Sequence, residues 1–163
     1  MSTISPNPSR AIQVIPSEHC NIPNPALYIT NTIVIDSSDG YIVVDLDLKT
    51  LGINIGDILY DYDSGYADVI SQIHYSGHPN QYTIYYSNQV GGVSIKTGDT
   101  VQIYNGEDDS VGCLLYCTAA GDADVVTAGG DAVLFTNIPL GLLPVQVKKL
   151  SSTGGGSTFI ALR

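Results

Sequence analysis

Acid pairs are the first chemistry to look for in this chain. Asp45, Asp47, Asp57 and Asp61 fall within one short stretch. Two carboxyls flanking a sugar would serve glycoside hydrolysis, one as acid and the other as base or nucleophile. Such sites set a buried carboxyl against aromatic walls that commonly include Trp, and this chain has 11 Tyr but no Trp. No acid pair is specified, so a small carbohydrate-active enzyme is the weakest reading. Asp61-Tyr62-Asp63-Ser64-Gly65 begins like a calcium loop, which needs oxygens at alternate positions and an acid at the twelfth. The fifth position is Gly65 and the twelfth is Gln72. The stretch therefore reads as a solvated turn, leaving Glu107-Asp108-Asp109 as the place for loose divalent-ion binding.

Sulfur and imidazole are sparse. Cys113 and Cys117 are four residues apart, which along a strand separates them by more than ~10 Å, too far for a disulfide or one tetrahedral metal. Together with Cys20 they make an odd number in apolar contexts, as expected of buried reduced thiols. His74 and His78 flank Ser76-Gly77, yet no third ligand stands at a suitable spacing. No G-x-S-x-G elbow occurs, and Gly154-Gly155-Gly156-Ser157 lies between two strand-like runs. It reads as a hairpin tip and not as a phosphate loop, which would lead into a helix. No metal and no cofactor are expected. Tyr60, Tyr62, Tyr66, Tyr75, Tyr82, Tyr85, Tyr86 and Tyr104 concentrate in the middle of the chain. They suit half-buried strand faces, or in part a surface for carbohydrate or protein.

The elements that would hold these groups are strands. Among 163 residues, hydrophobic types make up 44% and charged types 13%, with 17 Gly and few of the Glu, Lys and Arg that long helices use. The formal net charge of -10 comes mostly from Asp, a turn former. Between Thr50 and Val147 the one basic side chain is Lys96, so a nucleic-acid footprint is missing, and the acidic balance repels anionic membranes. No leader segment and no membrane span is expected.

Met1–Arg10 reads as an extended arm, Ala11–Pro16 as a strand, and Pro16, Pro23 and Pro25 impose an extended path. Strands are expected at Ala26–Thr30, Thr32–Ile35 and Tyr41–Leu46, with a turn at Ser37–Gly40. One helical turn, Leu48–Leu51, should follow, capped by Asp47 and stopped by Gly52. From Ile53 to Tyr104 a compact unit is bracketed by two similar phrases, INIGDILY and IKTGDTVQIY, and holds a hairpin of Ala67–Tyr75 with Gln81–Ser87. ALYIT at Ala26–Thr30 is echoed by LLYCT at Leu114–Thr118. At the C-terminal end Ala132–Phe135, Val145–Leu150 and Phe159–Leu162 form a meander, with a loop at Ser151–Thr158. The expected fold is all-β, a β-sandwich or barrel with a small barrel-like insert and almost no helix. An arm over 1–25 precedes a sandwich unit of 26–50 plus 107–163, and 51–106 is the inserted unit.

Gly112–Arg163 resembles the C-terminal region of small virion structural proteins of tailed bacteriophages, particularly of cyanophages and related marine phages. Leu115-Tyr116, Gly129-Gly130, Pro139–Gly141, Leu143–Val147 and Ile160–Leu162 carry the match, and Gly154-Gly155-Gly156 departs from the family's threonine-rich turn. VIPSEHCNIPNP at Val14–Pro25 and INIGDILYDYDSGYADVI at Ile53–Ile70 are similar to upstream segments of longer members. The resemblance implies a non-enzymatic capsid decoration or cement protein on the outer surface of a phage head, assembled in the host cytoplasm. It would bind the major capsid protein or another virion protein, as a homotrimer at local three-fold positions. The alternative is a tail, fibre-base or spike component that meets another fibre protein or a host glycan. Ile12, Val14, Ile15, Lys148, Lys149, Phe159, Ile160, Leu162 and Arg163 are the expected intersubunit contacts, by strand addition or wrapping, with the cations pairing with a neighbour's acids.

Overall fold

The computed structural model describes residues 10–86, 95–106 and 112–163. The chain divides into two compact units, Leu27–Glu107 and Met1–Ala26 together with Asp108–Arg163. In chain order, β1 (Ala11–Gln13) is followed by β2 (Tyr28–Ser38), β3 (Tyr41–Asp45), the single helical turn α1 (Leu48–Leu51), β4 (Ile58–Asp61) and β5 (Tyr66–Tyr75). Then come β6 (Gln81–Tyr86), β7 (Thr100–Tyr104), β8 (Cys113–Ala119), β9 (Gly121–Thr127), β10 (Ala132–Ile138), β11 (Gly141–Gly154) and β12 (Thr158–Leu162). The fold is all-β, as composition predicts.

The first unit is a closed barrel with the strand order β2-β3-β6-β5-β4-β7, antiparallel throughout. Its inward face follows the strand alternation: Ile42 and Val44 from β3, Tyr82, Ile84 and Tyr86 from β6, Leu59 from β4, Val101 and Ile103 from β7. α1 forms as its cap predicts. The Asp47 carboxylate accepts from the Thr50 N–H and hydroxyl, and Gly52 ends the turn in the left-handed region. The expected division, which placed 26–50 with the C-terminal strands, is corrected here. Without β2 and β3 the remaining four strands would leave β6 and β7 as open edges, and closure removes both. β2 also runs unbroken through Asn31, with a bulge beside Val34.

Two halves of the barrel repeat one another. The hairpins β2–β3 and β5–β6 share a bulge at the matching place, Val34/Asp36 and Ile70/Gln72, and the pairings Val34 with Val44 and Ile70 with Tyr86 correspond. The Gly-Asp phrases are the matching turns. Asp57 accepts from the Asn54 N–H at 2.8 Å, and Asp99 from the Lys96 N–H at 2.8 Å. Gly56 and Gly98 take φ of 96° and 97°, a region where a side chain is strained. Each turn bonds the other half's bulge: Gly56 N–H to Ile70 carbonyl and Gly98 N–H to Val34 carbonyl, both at 2.8 Å. The ALYIT and LLYCT echo, by contrast, falls in β2 and β8, in different units.

The second unit is a six-stranded antiparallel sheet, ordered β1-β12-β8-β11-β9-β10. β9 has no counterpart among the strands expected from sequence, because GDADVVT mixes turn formers with only two β-branched valines in sequence. β11 extends through the predicted loop to Gly154, leaving a tight turn at Gly155-Gly156. Register shifts interrupt β11 three times, the first around Pro144, where the missing N–H makes a bulge natural. One face buries Ile12, Cys113, Leu115, Cys117, Ala123, Val125, Phe159 and Ala161.

Candidate functional site

The residues with reactive side chains are dispersed by the fold. Asp45 ends β3 exposed, Asp47 caps α1, Asp57 holds its turn by accepting from Asn54 and Gly106, and Asp61 is buried. None of the four faces another across a cleft that these contacts would define. The segment read as a solvated turn does turn, with Gly65 at φ 68°. Its first carboxylate is nevertheless enclosed: Asp61 is 0% exposed and accepts from the Asp63 N–H at 2.9 Å and from the Ser64 hydroxyl.

Alternation places Asp61 on the same inward face of β4 as Leu59, and Asp68 on the inward face of β5 with Tyr66 and Ile70. Asp68 is also 0% exposed and accepts from the Tyr66 hydroxyl at 2.8 Å and the Val69 N–H at 2.7 Å. Tyr86 packs on Tyr66 at 5.2 Å. Burial raises Asp61 above the ordinary carboxyl value, against the pull of its Ser64 and Asp63 hydrogen bonds. Burial likewise raises the Tyr86 hydroxyl, with the Ile95 N–H pulling the other way and Asp39, Asp68 and Asp61 adding to the rise. Asp61 and Asp68 thus find hydrogen-bond donors inside the barrel, while the buried Tyr86 hydroxyl makes no hydrogen bond of good geometry.

The histidines lie on the surface and the cysteines inside. His74 is exposed and stacks on Tyr85 at 5.0 Å, and His78 is exposed in the following turn. Among the described residues no group of three or more His, Cys, Asp or Glu could hold a metal ion. Glu107-Asp108-Asp109 lies outside those residues. Cys20, Cys113 and Cys117 are free and buried.

The tyrosines divide between the barrel core and the surface. Tyr66, Tyr82 and Tyr86 belong to the barrel core. Tyr28, Tyr60, Tyr62 and Tyr104 form an edge-to-face group, with ring centroids 5.5 Å apart for Tyr28 and Tyr104 and 5.2 Å for Tyr60 and Tyr62. Tyr60 and Tyr104 are buried while Tyr28 and Tyr62 reach the surface. Burial raises the Tyr62 hydroxyl strongly, so it stays protonated and works as a hydrogen-bonding group.

Four of the nine residues expected at subunit contacts are buried inside one copy of the chain. Ile12, Val14, Ile15 and Phe159 are buried, β12 pairs with β1 and β8, and the Val14 N–H bonds the Phe159 carbonyl. Beyond β1 the arm is pinned to β11 by Ser17 N–H to Leu150 carbonyl and Ile22 N–H to Lys148 carbonyl, both at 2.8 Å. Cations reach the carbonyls of this proline-interrupted segment. Lys149 donates to Glu18 carbonyl, Arg163 to Ile22 carbonyl and Arg10 to Pro25 carbonyl. These three side chains anchor the chain's own arm. Lys148 is half-buried.

Of the residues on the surface of the sheet, sequence reasoning found Ile160 and Leu162 and missed Tyr116 and Leu142. Ile160 and Leu162 lie on the face opposite Phe159, and the register aligns Gln13, Ile160, Tyr116 and Leu142 across four strands. Tyr116 is 43% and Leu142 53% exposed. Beside them a groove of about 360 Å³ is lined in part by Ala11, Gln13, Thr118, Thr158 and Ile160. The two threonine hydroxyls bond each other at 2.7 Å, and no titratable side chain lines the groove. The signal for this stripe is the alternation of Leu114, Tyr116 and Thr118 against buried Cys113, Leu115 and Cys117.

Compared with known protein families, with curated proteins and with solved structures, the chain finds no match.

Proposed function

We propose that this chain is a non-enzymatic structural protein of a virion, a decoration or cement protein on the outside of a phage head. It would act as a homo-oligomer that binds the major capsid protein or another virion protein, after assembly in the host cytoplasm. The observation that carries the reading is the stripe of Ile160, Tyr116 and Leu142 on the outer face of the sheet. Exposed, contiguous apolar side chains on a folded surface mark contact with another macromolecule. The resemblance of the same C-terminal strands to phage virion proteins supplies the kind of macromolecule. The net charge of -10 supports the outer surface, since packaged DNA repels an acidic inner one.

Imaging of intact particles tests this. Density for the chain in many copies over the head is the expected result. A few copies at the tail would instead support the second reading, a fibre-base or spike component, which the surface tyrosines Tyr28 and Tyr62 favour as a platform for a glycan or a fibre protein. Replacing Tyr116 and Leu142 together by Ser should abolish particle binding while the circular dichroism spectrum stays unchanged, because both side chains are exposed.

A further inference from the structure

We infer that Asn105-Gly106 is a latent self-modification site, held closed by Asp57, at which opening of the end of β7 converts Asn105 to aspartate or isoaspartate. The inference does not rest on the virion reading. This is the one Asn-Gly pair in the chain. A glycine after asparagine leaves the backbone nitrogen open to attack the asparagine side chain, because no Cβ stands beside it. Packing dictates the glycine. A Cβ at position 106 would lie 1.9 Å from the Gly56 carbonyl oxygen, so the turn before β4 and the end of β7 meet too closely for any side chain. Both Asn105 and Gly106 are half-buried.

The reaction needs no partner but water. The Gly106 nitrogen gives up its proton and attacks the Asn105 side-chain carbonyl carbon, forming a C–N bond and a five-membered succinimide. The bond from that carbon to the side-chain nitrogen breaks, and the nitrogen leaves as ammonia with the proton taken from the backbone. Water then opens the ring at either carbonyl. One opening gives aspartate, and the other gives isoaspartate, in which the main chain runs through the former side chain. Nothing is oxidised or reduced.

The fold withholds the attacking nitrogen. The Gly106 N–H donates to the Asp57 carboxylate at 2.9 Å, and the Asn105 N–H bonds the Leu27 carbonyl at 2.9 Å. Both bonds hold the segment straight, away from the closed ring. A carboxylate beside the nitrogen also opposes loss of its proton, which leaves negative charge there. The product does not fit the same place. The pair Ile58 with Tyr104 sets Asp57 opposite residue 105, so a new acid there meets a carboxylate that is 5% exposed. Counted from the Gly-Asp turns, Asn105 matches Asp63, an acid opposite Asp99, but there both partners reach solvent, which screens them. Isoaspartate also adds a carbon to the main chain beside a glycine with no free space. An opening of the segment is thereby recorded as a covalent change that weakens the closure of β4 on β7.

Mass spectrometry of the purified full chain, kept at neutral pH over a series of guanidinium chloride concentrations, tests the site. Deamidation at Asn105 should be about tenfold or more slower in the folded chain than in the denatured one. In wild type the rate should already climb below the global unfolding transition, as for a local opening. Asp57→Ala, folded by circular dichroism, should deamidate at Asn105 about threefold or more faster than folded wild type, while Asn31, which precedes Thr32, is unaffected. Asn105→Asp, which copies the product, should lower the urea midpoint. Equal rates in folded and denatured chain, a rate that follows global unfolding alone, or a folded Asp57→Ala variant no faster than wild type overturns the gate. An unchanged midpoint for Asn105→Asp overturns the weakened closure.

Discussion

Asp61 shows how a single group can set the pH response of the barrel. Its carboxyl is fully buried on the inward face of β4, and its ionised form is disfavoured by that burial, so its pKa in the folded chain lies above the ordinary 3.8. A raised carboxyl binds a proton more tightly when folded than when unfolded. Its stabilising contribution is therefore complete below 3.8 and is lost as pH rises through the folded value. Asp47 works in the opposite sense: its bonds to Thr50 lower its pKa, and its contribution is lost as pH falls. Comparing wild type with Asp61→Asn isolates the first effect. Asparagine keeps an oxygen for the Asp63 N–H and cannot ionise, so the variant should gain stability relative to wild type as pH rises from 4 toward neutrality, read by urea unfolding at a series of pH values. Parallel curves for the two proteins would remove Asp61 from the account.

At the scale of elements, Phe159 and the Gly-Asp turns state what holds each unit. Phe159 is 1% exposed in the chain's own sheet, so Phe159→Ala should cost about 3–5 kcal/mol. The loss should be independent of protein concentration, as for a core residue and unlike a subunit contact. In the barrel, Asp57 accepts from two N–H groups and Asp99 from the Lys96 N–H. Asp57 is also the more buried of the two. Asp57→Ala should therefore be the more destabilising, by about 0.5–1.5 kcal/mol for each hydrogen bond lost, in thermal or urea unfolding. These elements show which parts of the fold sequence can carry. α1, the Ser37–Gly40 turn region and both Gly-Asp phrases were legible because cap and turn residues act within a few positions of themselves. The assignment of β2 and β3 to the barrel was not, since closure depends on partners β6 and β7 far along the chain. Phe159, Ile12 and Arg163 were legible as residues in need of partners. That the partners lie in the same chain depends on the path of the proline-rich arm, which local pattern does not encode. The place of β10 at the end of its sheet was illegible for the same reason, because AVLF reads alike in the middle of a sheet and at its rim.

For the molecule as a whole, the repeat inside the barrel determines how it can come apart. A hairpin half with its own turn would be expected to hold some structure alone if its contacts were local. Here they are exchanged: the Gly56 turn bonds Ile70 in the second half, the Gly98 turn bonds Val34 in the first, and β3 with β6 and β4 with β7 pair across the halves. Ile42 and Ile84, both 0% exposed, lie opposite each other on that crossing seam. Neither half can bury its inward face or satisfy its bulge without the other. The barrel is also one continuous stretch, Leu27–Glu107, whereas the sheet unit draws on both ends of the chain. A fragment of residues 27–107 should therefore fold alone, with the far-ultraviolet signature of a sheet and one cooperative urea transition. Fragments 27–64 and 65–107 should each lack that transition and regain it on mixing. A half that unfolds cooperatively by itself would show that the exchanged turns are ornamental to the barrel, and a whole fragment that stays unfolded would show that closure alone does not make it autonomous.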